Sequence, residues 1–154
     1  MKTLVVTVLF FVSACSINLA QKVKPENVPT SVMSAFKSKF PNVTKVKWSL
    51  ENANEYEAEF KLDGKGKSAN FDKDGKWLET ETEISRSELP KVVIDAIAKQ
   101  YPGYKIEEVE LAETNDIPSF YSVNIELKDK EYDIEIKSNG EIIKATEVTG
   151  KDED

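Results

Sequence analysis

Asn70-Phe71-Asp72-Lys73-Asp74-Gly75-Lys76-Trp77-Leu78 has a degenerate copy at Glu135-Ile136-Lys137-Ser138-Asn139-Gly140-Glu141-Ile142-Ile143. The copy extends in both directions. Pro29 and Phe40-Pro41 recur at Pro90 and Tyr101-Pro102, 61 positions on, while Tyr56, Phe60, Leu62 and Asp74-Gly75 recur at Tyr121, Ile125, Leu127 and Asn139-Gly140, 65 positions on. The second copy therefore holds four extra residues, in the loop around Ala112 to Ser119. An insertion confined to a loop leaves both cores intact.

Each copy opens on a helix. Val28-Pro29-Thr30 sets a proline in the first turn, where its missing N–H costs nothing. Val32, Met33, Phe36 and Phe40 then share one side, and Pro41 stops the run because the residue before a proline is pushed out of helical geometry. Val93, Ile94, Ile97 and Tyr101, followed by Pro102-Gly103, repeat the pattern. Four strands are predicted after each helix: 45–50, 55–62, 67–72 and 76–84, then 105–112, 120–127, 131–137 and 141–148. Asp63-Gly64 and Asp74-Gly75 are hairpin turns. Tyr56, Ala58, Phe60 and Leu62 alternate with Glu55, Glu57, Glu59 and Lys61, the period of a sheet with one buried and one wet face. Tyr121, Val123, Ile125 and Leu127, with Tyr132, Ile134 and Ile136, point inward in the second copy. The expected fold is α+β: two α-β-β-β-β repeats (28–84 and 89–148) forming a curved antiparallel sheet with helices on one face. Gln21 to Asn27 reads as a polar lead and 149–154 as a charged tail.

Residues 1–20 read as a signal peptide, with Lys2, an apolar run from Thr3 to Phe11 and small residues after it. The run is too short to span a bilayer. Two processing routes stay open. Val12-Ser13-Ala14-Cys15 resembles a lipobox that would lipidate Cys15, and Leu19-Ala20-Gln21 resembles an ordinary signal-peptidase site. Either way the mature chain has no disulfide and depends on core burial. Export to the periplasm, the cell surface or the medium follows, with membrane attachment only through a lipid.

The whole chain carries 21 basic and 28 acidic residues, a net charge of −7. Such a surface repels phosphate backbones, so no nucleic acid partner is expected. There is no histidine, and the one cysteine lies in the leader. Imidazole-assisted nucleophilic catalysis and His or Cys metal sites are thereby excluded. Carboxylate chemistry would need two acids converging in a cleft, whereas the acids here alternate with lysines on sheet faces. No enzymatic activity and no cofactor are expected.

Asp72-x-Asp74-Gly75 echoes the start of a calcium loop, and Glu83 lies where a closing acid would. The segment between reads as a strand, however, and the second copy has Lys137 and Asn139 in place of the aspartates, so turn chemistry accounts for both. Trp48 and Trp77 are matched by Val109 and Ile142, plain hydrophobes that favour a core role. Lys65, Lys67, Lys73 and Lys76 are edge-guarding hairpin lysines. The candidate partner-binding residues are Glu131, Asp133 and Glu135, with Glu57 and Glu59 as their counterpart on the other half; the plain alternative is a solvated sheet face.

Trp48, Tyr56-Glu57, Phe60, the run from Phe71 to Trp77, and the Phe40-Pro41 and Tyr101-Pro102-Gly103 helix stops together resemble the PepSY-like, beta-lactamase-inhibitor-like family of exported bacterial proteins. The resemblance spans about Val28 to Val148. It implies tandem helix-plus-four-strand units on a curved sheet. The complete core pattern, alongside the absence of catalytic residues, points to a non-enzymatic module that contacts an unknown protein or peptide through the open polar face. By analogy with PepSY domains in protease propeptides, the alternative that the resemblance implies is an inhibitor of an envelope or secreted protease or other hydrolase.

Overall fold

The computed structural model describes residues 21–148; the leader with Cys15 and the charged tail lie outside the described residues. Nine strands form one antiparallel sheet in strict chain order. They are β1 (Gln21–Val23), β2 (Val46–Asn52), β3 (Glu55–Leu62), β4 (Lys65–Asp72), β5 (Trp77–Glu83), β6 (Lys105–Thr114), β7 (Phe120–Leu127), β8 (Lys130–Ile136) and β9 (Ile142–Val148), with helices α1 (Thr30–Lys39) and α2 (Lys91–Gln100). The sheet is open, with β1 and β9 at its edges.

Strand ends differ from the sequence reading by one or two residues, and one strand is new. Gln21–Val23 is no polar lead: it pairs with Leu50, Ser49 and Trp48 of β2. Three residues are too few for period-two alternation to show. Pro29 and Pro90 stand one position earlier than expected, as helix caps with extended ψ of 143° and 142°. Both helices end alike. The Phe40 N–H donates to the Phe36 carbonyl and the Tyr101 N–H to the Ile97 carbonyl, each at 2.8 Å, at nearly identical φ and ψ.

Register carries the facing of side chains across the whole sheet. Ala58 pairs with Ala69, Ala69 with Thr80, Thr80 with Glu113, and Val109 with Val123, which pairs with Ile134. Along β6, Val109 and Glu113 share a face, so both helices dock on the same side. Under α1, Phe36 sits among Trp48, Phe60 and Phe40 at ring-centroid distances of 5.2 to 5.3 Å, mostly edge to face. Under α2, Val93 and Ile97 pack with Val109, Val123, Ile125, Ile134 and Ile136 in an aliphatic version of that core. Trp48 is buried as expected. Trp77 is half-buried, its indole lying 3.5 Å beneath the Lys39 ammonium.

The motif that betrays the duplication is a docking turn. Asp72 Oδ1 accepts from the Asp74 and Lys76 N–H groups, both at 2.9 Å, and the Ser31 hydroxyl donates to the Lys73 carbonyl at 3.0 Å. The Asp72 side chain is thus committed to closing the turn. Glu83 stands six residues along β5 from Trp77, about 20 Å away. Gly75 has φ +86°, and a Cβ there would lie 2.7 Å from the Ser31 carbonyl oxygen; at Gly140, φ +85°, it would lie 3.1 Å from that of Val92. In both repeats the turn presses on the first turn of the helix.

The loop that carries the insertion, residues 115–119, closes on itself through the Thr114 N–H to the Ile117 carbonyl at 2.8 Å. Asn115 Nδ2 then donates to the Trp77 carbonyl at 3.0 Å, which ties the second repeat to the end of the first.

Gly75→Ala is expected to destabilise by about 2 kcal/mol or more, through left-handed strain plus the clash with Ser31. Gly64→Ala, at φ +80° with open space around it, carries the strain alone and loses about 1 kcal/mol. Urea unfolding of the two variants checks this, and equal losses would show that the turn does not bear on α1.

Candidate partner-binding face

Opposite the helices, the residues in register are Ser49, Glu57, Asn70 and Glu79 in one row and Glu59, Ser68, Glu81 and Ala112 in the next. The β5 run Glu79-Thr80-Glu81-Thr82-Glu83 turns its three acids to this open face. Glu83 pairs with Glu110, Glu110 with Ser122 and Ser122 with Glu135. Acids from both repeats therefore meet at the middle of the sheet, where β5 joins β6.

This face is a trough of about 1010 Å³, lined among others by Glu57, Glu59, Glu81, Glu83, Glu108 and Glu110. It is less wet than alternation alone implies. Ala112 and Phe120, a registered pair on the open side, are only 1% and 2% exposed. Charges act across several strands of this face: Glu79 on β5 lies within electrostatic reach of Glu55 on β3 and of Glu135 and Lys144 on β8 and β9.

Desolvation acts on the carboxyls accordingly. Burial pushes Glu57 up to about 7; the Ser49 hydroxyl, donating at 2.9 Å, opposes this, and Glu51 adds to it. Glu79 rises to about 7, from burial first and then the neighbouring Glu81 and Glu135 charges. Glu110 rises to about 8, from burial and the charges of Glu81 and Glu108. Burial also raises Glu81, against hydrogen bonds from Ser68 and Ser122. A carboxyl taken partly out of water among like charges favours its neutral form.

The sequence-derived candidates fall into two places. Glu57 and Glu59 lie in the trough, while Glu131, Asp133 and Glu135 run along β8, five strands from β3. Their positional counterparts in the first repeat are Gly66, Ser68 and Asn70 of β4, not Glu57 and Glu59, because β3 matches β7. The two acidic groups are not symmetry mates. Asp133 accepts from Asn124 Nδ2 at 2.7 Å and Glu135 from Lys144 Nζ at 2.9 Å, and Glu135 bears on Glu79. Glu81 and Glu110, which the sequence reading passes over, line the trough where β5 meets β6, and Glu79 stands beside them on the same face. Their signal was the Glu-Thr alternation of β5, where Thr80 pairs with buried Ala69 and so commits the glutamates to the other side.

Fold and trough together define a class, a helix-backed open sheet that presents an acidic furrow. The chain belongs to the family described as "Putative beta-lactamase-inhibitor-like, PepSY-like", which matches residues 17–65 and 54–144. It is similar to a DUF2874 family protein from Bacteroides uniformis ATCC 8492, with 27% identity and a TM-score of 0.67 over 77% of this chain and 88% of that one. A BLIP-like protein from Bacteroides fragilis NCTC 9343 is 28% identical, with a TM-score of 0.65 over 82% of this chain and 92% of that one. None of the curated proteins matches this chain.

Removing the Ser49 donor takes away a hydrogen bond that favours ionised Glu57. In Ser49→Ala, the Glu57 carboxyl is expected to titrate above its wild-type midpoint of about 7, read from carbon-13 shifts of labelled glutamate side chains. An unchanged midpoint would mean that Ser49 does not hold it.

Proposed function

We propose that the protein is an exported, non-enzymatic binding module that takes a basic protein or peptide segment into the acidic trough and along the open sheet face. The observation that carries this reading is the meeting of half-buried carboxyls from both repeats on the face that the helices leave uncovered. A stable fold has no need to desolvate so many like charges, since a solvated face would serve it better. A cationic partner supplies the missing counter-charge, and complementary charge gives orientation and fast encounter. Glu131, Asp133 and Glu135 extend the acidic field toward the second edge and would guide the approach, with Glu57 and Glu59 nearer the contact. The family description and the BLIP-like description of the Bacteroides fragilis protein both liken these chains to proteins that act by binding. The leader read in residues 1–20 supports a place in the bacterial envelope or outside it, whether or not Cys15 is lipidated.

The test uses the mature protein as bait in an envelope extract, followed by affinity measurements on the recovered partner across a salt series. Glu59, Glu83 and Glu108 are exposed acids lining the trough, so their triple replacement by glutamine leaves the core alone. Wild-type binding should weaken with salt, and the triple variant should bind about tenfold more weakly, the worth of roughly 1.4 kcal/mol. A partner that holds the triple variant as tightly as wild type, or binds independently of salt, overturns the reading.

A further inference from the structure

The strand order makes β5–β6 the only ladder by which the two repeats share one sheet among the described residues. It has five registered pairs, from Glu79↔Thr114 to Glu83↔Glu110. On its helix side the seam is clamped. Lys39 Nζ, at the end of α1, lies 3.5 Å from Glu113 of β6 and 3.5 Å from the Trp77 ring of β5, and Asn115 reaches the Trp77 carbonyl. On the open side the seam is lined with acids.

Two of these are diagonal neighbours. Glu83 is registered with Glu110 and Glu81 with Ala112, so Glu81 and Glu110 stand side by side on the open face across the seam, one from each repeat, and both line the trough. Long side chains meet at such a spacing, and because an ionised carboxylate only accepts, a hydrogen bond between these two requires that one of them carry a proton. We propose that a proton shared between Glu81 and Glu110 latches the open side of the inter-repeat seam, and that its loss loosens this junction and widens the trough.

The surroundings bear this out group by group. Glu83 on β5 and Glu108 on β6 flank the pair with like charge, Glu57 faces it from β3, and the Ser68 and Ser122 hydroxyls reach it from β4 and β7. Lys47 on β2 is committed to Glu59 at 3.5 Å. Lys144 on β9 engages Glu135 at 2.9 Å and bears on Glu79. Lys61 of β3 lines the trough beyond Glu59, and Lys67 of β4 turns to the Thr82 hydroxyl at 2.7 Å. With its proton lost, the pair becomes two adjacent anions inside a ring of further acids. The helix-side clamp, built from the Lys39–Glu113 pair, the Trp77 indole and the Asn115 amide, holds no part of the shared proton and acts as the hinge.

Burial sets the range. Glu110 is pushed up to about 8, and Glu57 and Glu79 to about 7, from an ordinary 4.5. An acid whose pKa is raised by folding keeps its proton after the unfolded chain has lost it. The stability it confers is therefore full below about 4.5, declines as pH climbs, and is gone above about 8. This is the reverse of the usual behaviour of paired surface acids.

Three measurements on the mature protein test the latch, which stands independently of any partner. The Glu110 carboxyl should titrate near 8 by carbon-13 shift, and the urea midpoint should fall by about 0.5 M between pH 5 and pH 9. Amide protection along β5 and β6, corrected for intrinsic exchange, should drop about tenfold over that range while β3–β4 keeps its protection. Glu110→Gln, which still donates to Glu81, should lose at least half of the pH dependence, whereas Glu108→Gln should keep it. Should Glu110→Gln fail to fold, the wild-type titration and exchange decide alone. A Glu110 midpoint near 4.5, a urea midpoint level or rising with pH, or uniform loss of protection over all strands would overturn the proposal.

Discussion

The constraint on which the rest of the structure depends is the continuous register of one sheet through the junction of β5 and β6. Successive side chains in a strand point to opposite faces, so once Thr80 is set against Ala69 and Glu113, Val109 and, through its pairing, Val123 have their side assigned. Both helices must then dock on one face, and the acids of both repeats must share the other. A slip of one residue at that ladder would turn the Val109 and Val123 face outward and strip α2 of its core. Two cores form, one under each helix, and the seam joins them in a single sheet with a helix side and an acidic side.

That division was legible in the sequence where the physics is local. Phe36 and Phe60 declare a helix stripe and a strand stripe through period alone, and the Gly75 and Gly140 turns declare the repeat, because only a residue without a Cβ lets the turn lie so close to the first turn of the helix. The shift in offset from 61 to 65 placed the inserted loop correctly. What period alone does not reveal is what the loop does: that Asn115 bonds the Trp77 carbonyl depends on where two chain ends arrive in space.

The centre of the trough was hidden for a physical reason. Glu79, Thr80, Glu81, Thr82 and Glu83 are all polar, so hydropathy gives β5 no inner face. Only its pairing with β4 shows that Thr80 is buried and that its hydroxyl serves the Trp77 indole at 2.9 Å. Burial on the open face is equally invisible in a strand pattern: there Phe120 is covered, Glu110 is partly desolvated, and Glu135 of β8 bears on Glu79 of β5. Equating the Glu131 row with Glu57 and Glu59 failed because acidity was matched in place of strand position.

The two repeats also divide the work unequally. The first builds its core from aromatic rings and supplies Glu57, Glu79 and Glu81; the second builds from aliphatic side chains and supplies Glu110, with Ser122 and Asn124 where the first repeat has Glu57 and Glu59. Had both copies kept their acids at those positions, the open face would hold two more carboxyls beside Glu110 and Asp133, at a desolvation and repulsion cost that partly buried charges do not recover. Replacement of those acids by a hydroxyl and an amide lets Ser122 donate to Glu81 and Asn124 to Asp133. The second repeat thus solvates, from within the sheet, the acids that the seam brings together, and the asymmetry of the duplicated halves is what makes a single trough between them tolerable.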